Sequence, residues 1–292
     1  MSQYHIPVLL TESISALVTN PSGIYADATF GGGGHTAAIL SRLNGDGRVI
    51  AFDRDIDAIN NAPEDPRLTL IHNNFRFIEN FSTQQFGRPA VFDGILADLG
   101  VSSHQFDTGS RGFSFRFDDA PLDMRMNTKG DFTARDVVNT YEEKDLERIL
   151  RLYGEVDGAG RMAGLIVKAR AAEAINTTTD LCKAIESMLP RNAEHKVLAK
   201  VFQALRIEVN QEMRSLEKFL EGAAACLKED GRLVVITYHS LEDRLVKNFI
   251  RDNRDTLEAV NRKPIVPSEE EISANTRARS AKLRIAARRA AE

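Results

Sequence analysis

A chain of 292 residues with 42% hydrophobic content is long enough to bury one large core or two modest ones. Its formal charge of −4 excludes a bulk-basic nucleic-acid binder while leaving room for a local basic face. No run reaches the roughly 18 apolar residues of a membrane span, and the first residues lack a basic segment followed by an apolar one, so a cytoplasmic protein is expected. Cys182 and Cys226 lie far apart in helical patterns and read as reduced core thiols. The six histidines are scattered and no Cys or His pair stands at ligand spacing, so no metal is expected.

The first strand candidate, 24–29, runs into Asp27-Ala28-Thr29-Phe30-Gly31-Gly32-Gly33-Gly34-His35-Thr36, and a helix follows over 36–43. Four successive glycines strip every Cβ from the turn, so backbone N–H groups can approach a ligand closely at a helix start. The next strand, 48–53, ends on Asp53, about 20 residues on, where nucleotide-binding α/β proteins hold a ribose. The third glycine of a dinucleotide fingerprint is missing: its place falls on Thr36, and His35 intrudes on the bare helix start that a pyrophosphate needs. S-adenosylmethionine, which has no pyrophosphate, fits the pattern better.

Strands 68–75 and 92–99 complete a doubly wound parallel pattern. In such sheets ligands lie at the carboxyl ends of the strands, which here present residues 31–35, Asp53, 73–75 and 98–105. Asp98 stands out, because a carboxylate ending an apolar strand is costly unless something bonds or uses it. A simple strand-end turn is the plainer alternative.

From about 105 to 205 no strand pattern appears, and the segment reads as a helical insertion. Asp180, after Thr177-Thr178-Thr179, opens a run that Pro190 stops. Residues 112–126 crowd aromatics, acids and arginines without any period. Phe106, Phe113 and Phe115 could stack an extruded base while Arg111, Arg116 and Arg125 hold phosphates; equally, they could tie the insertion to the sheet domain. Basic residues outnumber acids two to one over 161–206, and the charged residues of 277–289 are all basic, which suits phosphate contacts or a solvated face.

A long helix carrying Phe202, Leu205, Val209, Met213, Leu216, Leu220 and Leu227 then runs to Asp230-Gly231. Strand 232–238 follows and opens onto the polar stretch from Thr237 to Arg244. Residues 254–275 read as loop, and 282–286 as the last strand. The expected organisation is an α/β domain in two parts, 1–105 and 206–292, interrupted by a helical insertion over 106–205.

The segments D-A-T-F-G-x-G-G-H-T, D-L-G-V-S-S-x-Q, R-G-F-S-F-R-x-D-x-P-L-D-M-R-M, F-Q-A-L-R-I-E-V-N and H-S-L-E-D-R-x-V-K-x-F stand here in an order that resembles the bacterial 16S ribosomal RNA cytosine-N4 methyltransferases, over nearly the whole chain. The resemblance implies a Rossmann-like class I methyltransferase sheet with an inserted all-helical domain. It implies S-adenosyl-L-methionine as donor and the N4 amine of a decoding-centre (P-site) cytidine in the small ribosomal subunit as acceptor. By motif, Gly33, Gly34 and His35 would meet the methionine part, Asp53 the ribose, and Phe75, Asp98 and Gln105 the rest of the cofactor. Neither a membrane nor DNA is an expected partner, and the protein is expected to be a monomer or weak homodimer.

The amine is a poor nucleophile because its lone pair is delocalised into the ring, so an acceptor for an amine hydrogen is needed. Asp98 is the leading candidate, with Ser102 and His239 next. If Asp98 holds the cofactor ammonium instead, Ser102, Ser103 or the 239–243 loop must orient the base. Methylation of another base amine such as adenine N6, a non-catalytic subunit-assembly role and a nicotinamide dehydrogenase remain as alternatives, the last disfavoured by Thr36.

Overall fold

The structure, a computed structural model, describes residues 7–60, 62–100, 106 and 108–290. Contacts divide the chain into two compact units, Met1–Gly100 with Met213–Glu292, and Val101–Glu212.

The first unit opens with α1 (Leu10–Leu17), β1 (Ile24–Asp27), α2 (Gly34–Arg42), β2 (Arg48–Asp53), α3 (Ile56–Asn60), β3 (Leu68–His72), α4 (Ile78–Phe86) and β4 (Phe92–Asp98). The second unit supplies α5 (Ala134–Thr140), α6 (Glu143–Leu152), α7 (Ala159–Ala172), α8 (Thr178–Ile185) and α9 (Glu194–Asn210). The chain continues through α10 (Glu212–Cys226), β5 (Leu227–Thr237), α11 (Ser240–Asp252), β6 (Leu257–Ala259), α12 (Glu269–Ala274) and β7 (Lys282–Arg288).

The first unit is an α/β sheet in the order β3-β2-β1-β4-β5-β7-β6. The strands from β3 to β5 pair in parallel, and β7 runs antiparallel to both of its neighbours. The central strands β1, β2 and β4 are mostly apolar and buried because both faces are covered. Alternate residues go to opposite cores: Ala26, Ile50, Ile95, Ala97, Leu233 and Val235 face one with Phe219 and Val246, whereas Tyr25, Val49, Leu96, Val234 and Ile236 face the other with Leu17 and Ile39. The strand order reverses between β1 and β4, which opens a crevice at their carboxyl ends.

The second unit has its own core, in which Val137, Leu146, Ile149, Met162, Ile166, Leu181, Val201 and Leu205 are buried. Thr133 and Thr177 cap α5 and α8 in reciprocal pairs with Asp136 and Asp180, satisfying amide groups that a bare helix start would leave open. The 112–126 stretch is bound into this unit. Leu122 N–H donates to Asn176 O at 3.0 Å, and buried Asn210 accepts from Met126 N–H and donates to Met124 O. Gly112 is the residue that lets this stretch turn: its φ is +67°, and an added Cβ would lie 2.1 Å from Pro121 O. Gly112→Ala is therefore expected to destabilise the protein by more than about 2 kcal/mol in urea unfolding, since both strain and overlap act against it.

Three sequence expectations give way. The long helix is two helices, α9 and α10, broken at Gln211, whose φ is +49°. The apolar spacing continues through the break, so periodicity alone could not find it. Leu227 belongs to β5 rather than to a helix, and the register against β4 jumps from Leu227 to Arg232, so that residues 228–231 bulge from the ladder. Residues 254–275 contain β6 and α12; α12 starts on a Ser268 cap that accepts from Glu271 N–H.

Among the described residues, no helix is long and apolar enough to cross a membrane. Cys182 and Cys226 are unbridged, and burial pushes their thiols up to about 11 and about 12, so neither is a nucleophile near neutral pH.

Candidate active site

The site is built at the carboxyl ends of β1, β2, β4 and β5, all within the sheet unit. Asp27 ends β1 fully buried, where it accepts from Thr36 Oγ1 at 2.6 Å and from Thr29 N–H at 3.0 Å. These two bonds tie the start of α2 to the end of β1 and so fix both ends of the glycine loop. Burial raises the Asp27 carboxyl above its usual range, and the Thr36 hydroxyl opposes the rise.

Within that loop Gly33 takes φ +76° and precedes α2, while Gly34 is pressed so closely by Pro7 that a Cβ there would lie 2.3 Å from its ring. Gly32 faces open space, with no atom within 4 Å of an added Cβ. The loop is thus tight on its inner side and open on the other, which is the shape needed for backbone to approach a ligand.

Asp53 ends β2 and accepts from Gly31 N–H and Asp55 N–H, both at 2.8 Å, one on each carboxylate oxygen. Each oxygen keeps a lone pair for a further donor such as a hydroxyl. Burial raises this carboxyl too, against the two backbone bonds. Phe75, beyond β3, lies in a single 3₁₀ turn and meets Phe219 edge to face at 5.1 Å. Asn74 caps the turn by accepting from Arg76 N–H.

Asp98 ends β4. Its N–H donates to Thr29 Oγ1 at 2.7 Å, Tyr238 Oη donates to its Oδ1 at 2.7 Å, and His35 Nδ1 lies 3.5 Å from its Oδ2. The other His35 nitrogen, Nε2, lies 3.2 Å from Val8 O, which can only accept, so Nε2 carries a proton. Burial pushes the Asp98 carboxyl up to about 6; His35 and the Tyr238 phenol pull it down, while Asp27 and Glu242 push it further up. About 23% of the Asp98 side chain stays open. Asp98 is thus a partly buried carboxylate at a strand end whose pKa its surroundings raise toward neutrality.

His239 is placed differently from Asp98. It caps α11, with Nδ1 3.4 Å from Glu242 N–H and Nε2 3.1 Å from Glu242 Oε1, while Glu242 Oε2 takes the N–H groups of Tyr238 and His239. Nδ1 thus helps to cap the β5–α11 corner, whereas Nε2, although close to Glu242 Oε1, is buried without a hydrogen-bond partner among the described residues.

Gly33, Gly34, His35, Asp53, Phe75 and Asp98 therefore all belong to the sheet unit that carries this crevice. Ser102, Ser103 and Gln105 lie outside the described residues. The stacking and phosphate candidates belong to the helical unit. Phe113 is only 5% exposed and offers no open ring face, which corrects its reading as a stacking platform. Phe115 stacks on His195 at 5.6 Å and meets Phe202 edge to face. Arg111 donates to the carbonyls of Arg125 and Met126, and Arg125 forks onto Asp123 at 2.6 and 2.8 Å, so both guanidinium groups hold their own loop together. Arg116 lies 5.1 Å over the Phe106 ring. Asp27, Thr29 and Tyr238 were missed as site residues; the polar density of 237–244 at a strand end was the available signal for Tyr238.

The crevice and its acids fit many nucleotide-dependent enzymes, but the order of motifs is more specific. The sequence model of the MraW methylase family matches residues 2–289. The chain belongs to the MraW methylase family. As a member of that family it is a methyltransferase. Among its relatives are proteins named ribosomal RNA small subunit methyltransferase H. The one from Parabacteroides distasonis is 50% identical, over 98% of this chain and 97% of that protein. The one from Bacteroides fragilis is 52% identical over 97% of each, and that from Flavobacterium johnsoniae 51% over 97% of each.

Proposed function

We propose that this MraW-family methylase transfers a methyl group from S-adenosylmethionine to the N4 amine of a decoding-centre (P-site) cytidine of 16S ribosomal RNA in the small subunit. The observation that carries the reading is the Asp98 carboxylate, held at a strand end beside a glycine loop that leaves Gly32 open and a ribose-ready Asp53.

The residues present suit the cofactor. The loop of Gly33, Gly34 and His35 gives backbone room for the methionine part, Asp53 keeps a lone pair on each oxygen for ribose hydroxyls, and Phe75 and Asp98 border the same crevice. S-adenosylmethionine supplies a methyl group on a positively charged sulfur, activated for in-line attack. Asp98 accepts one hydrogen of the amine, which favours the pyramidal form whose lone pair is free. Holding the amine in line with the methyl donor removes much of the entropic barrier. The base must be extruded from its stack, at about a few kcal/mol.

The test is labelled methyl transfer to small subunits from cells lacking this protein, followed by nucleoside analysis. Labelled N4-methylcytidine is expected. Labelled N6-methyladenosine, or cofactor binding without label on any ribosomal substrate, would overturn the assignment.

A further inference from the structure

Tyr238 has no part in the reaction as described so far, yet its phenol is aimed at the group that reaction most depends on. The side chain is held on several sides. Its backbone N–H donates to Glu242 Oε2 at 2.9 Å, its ring lies against Gly100, where a Cβ would come within 3.1 Å of Cδ2, and its hydroxyl donates to Asp98 Oδ1 at 2.7 Å. On the other side of the carboxylate stands His35, and behind it the Asp98 N–H is anchored on Thr29. The carboxylate therefore has one fixed donor on Oδ1 and the His35 ring facing Oδ2, and each oxygen keeps a lone pair for an incoming N–H donor.

We infer that Tyr238 is a positioning residue, whose phenol fixes the Asp98 carboxylate in orientation and in its ionised form for an amine donor entering the crevice. The inference rests on the methyltransferase reading above. The charged and titratable groups around Asp98 come from every neighbouring element: Asp27 from β1, His35 from α2, Tyr238 and Glu242 from the β5–α11 corner, with Glu271 of α12 acting in turn on Tyr238. Burial, Asp27 and Glu242 all oppose ionisation of Asp98, so the His35 ring and the Tyr238 hydroxyl are what favour it. A donor that bonds the ionised form holds the carboxyl's pKa down, and removing that donor lets it rise. Burial likewise pushes the phenol well above its usual range, so it stays a donor throughout the working pH range.

Tyr238→Phe keeps the ring against Gly100 and loses only the O–H. Its effect is read first from the titration of Asp98 itself, followed by carboxyl carbon signals in the full-length protein labelled at aspartate, with Asp98→Asn as the assignment. The variant is expected to titrate about one pH unit higher than the wild type. Two further arms use pH series: calorimetric affinity for S-adenosylhomocysteine, and single-turnover methyl transfer to unmodified small subunits. In whichever depends on ionised Asp98, the acid limb of Tyr238→Phe moves up by the same unit, so the property falls about tenfold on that limb and recovers above pH 8. An affinity limb means that the amine is the cofactor's ammonium, and a turnover limb at saturating cofactor means that it is the base. An unmoved carboxyl titration, or a loss equal at every pH, overturns the inference. Absence of any methyl transfer by the wild type sinks the proposed function instead, and the carboxyl titration still decides the role of Tyr238.

Discussion

Asp98→Ala is expected to lower single-turnover methyl transfer by about a thousandfold while changing the affinity for S-adenosylmethionine by less than about tenfold. The size follows from the nucleophile. An exocyclic base amine donates its lone pair to the ring, so attack requires loss of that conjugation, and a positioned acceptor acts only as the conjugation is lost. Its contribution therefore belongs to the transition state, where removal lowers turnover rather than ground-state binding. The fold should tolerate the change. The Asp98 N–H bond to Thr29 uses backbone and survives, and the loss is confined to the hydrogen bond from the Tyr238 hydroxyl. Rapid-quench transfer to unmodified subunits, beside calorimetry of the cofactor, separates the outcomes. A collapse of affinity in parallel with turnover would reassign Asp98 to the cofactor ammonium and pass the orienting role to another group. Full activity in the variant would remove Asp98 from the chemistry.

What the sequence disclosed follows from what local pattern can encode. The parallel strands β1, β2 and β4 were legible as mostly apolar runs ending on an acid, and the glycine loop because Gly33's left-handed φ favours glycine and Pro7's approach to Gly34 leaves no room for a Cβ. Asp53 and Asp98 were legible as acids at strand ends. The partners that give those acids their properties were not. Tyr238 lies 140 residues from Asp98, and Thr29 meets the Asp98 amide across 69 residues, so both contacts exist only once β4 has been placed beside β1 and β5. The break at Gln211 stayed hidden because the apolar spacing of α9 carries on into α10. The 112–126 loop left two readings open for a different reason. Its aromatics and arginines are residue types that also bind RNA, but here Phe113 is core, and Arg111 and Arg125 satisfy carbonyls and a carboxylate of the same loop.

The same burial that tunes Asp98 gives a stability effect opposite to the usual one. A carboxyl whose folded pKa, about 6, lies above its ordinary 3.8 keeps its proton in the folded state where the unfolded chain has released it. Stability therefore falls as pH rises between those values, and the cost is complete above the upper one. Asp27 and Asp53 shift in the same direction, again through burial. Asp93, Asp123 and Asp243 oppose them: burial would raise these carboxyls, but Lys228, Arg125 and Arg284 hold them low, so they add stability as pH rises. The wild-type curve mixes both signs, whereas its difference from Asp98→Asn isolates one group. In the ligand-free protein Asp98→Asn, which keeps an acceptor for Tyr238, is expected to match the wild type near pH 4 and to exceed it by on the order of 2 kcal/mol above pH 7. Urea midpoints at the two pH values measure this directly, and a gap that stays constant with pH would refute it. A wider gap at neutral pH means that the fold carries an ionised Asp98 at a loss until an amine donor binds beside it, as expected of a group retained for chemistry rather than for packing.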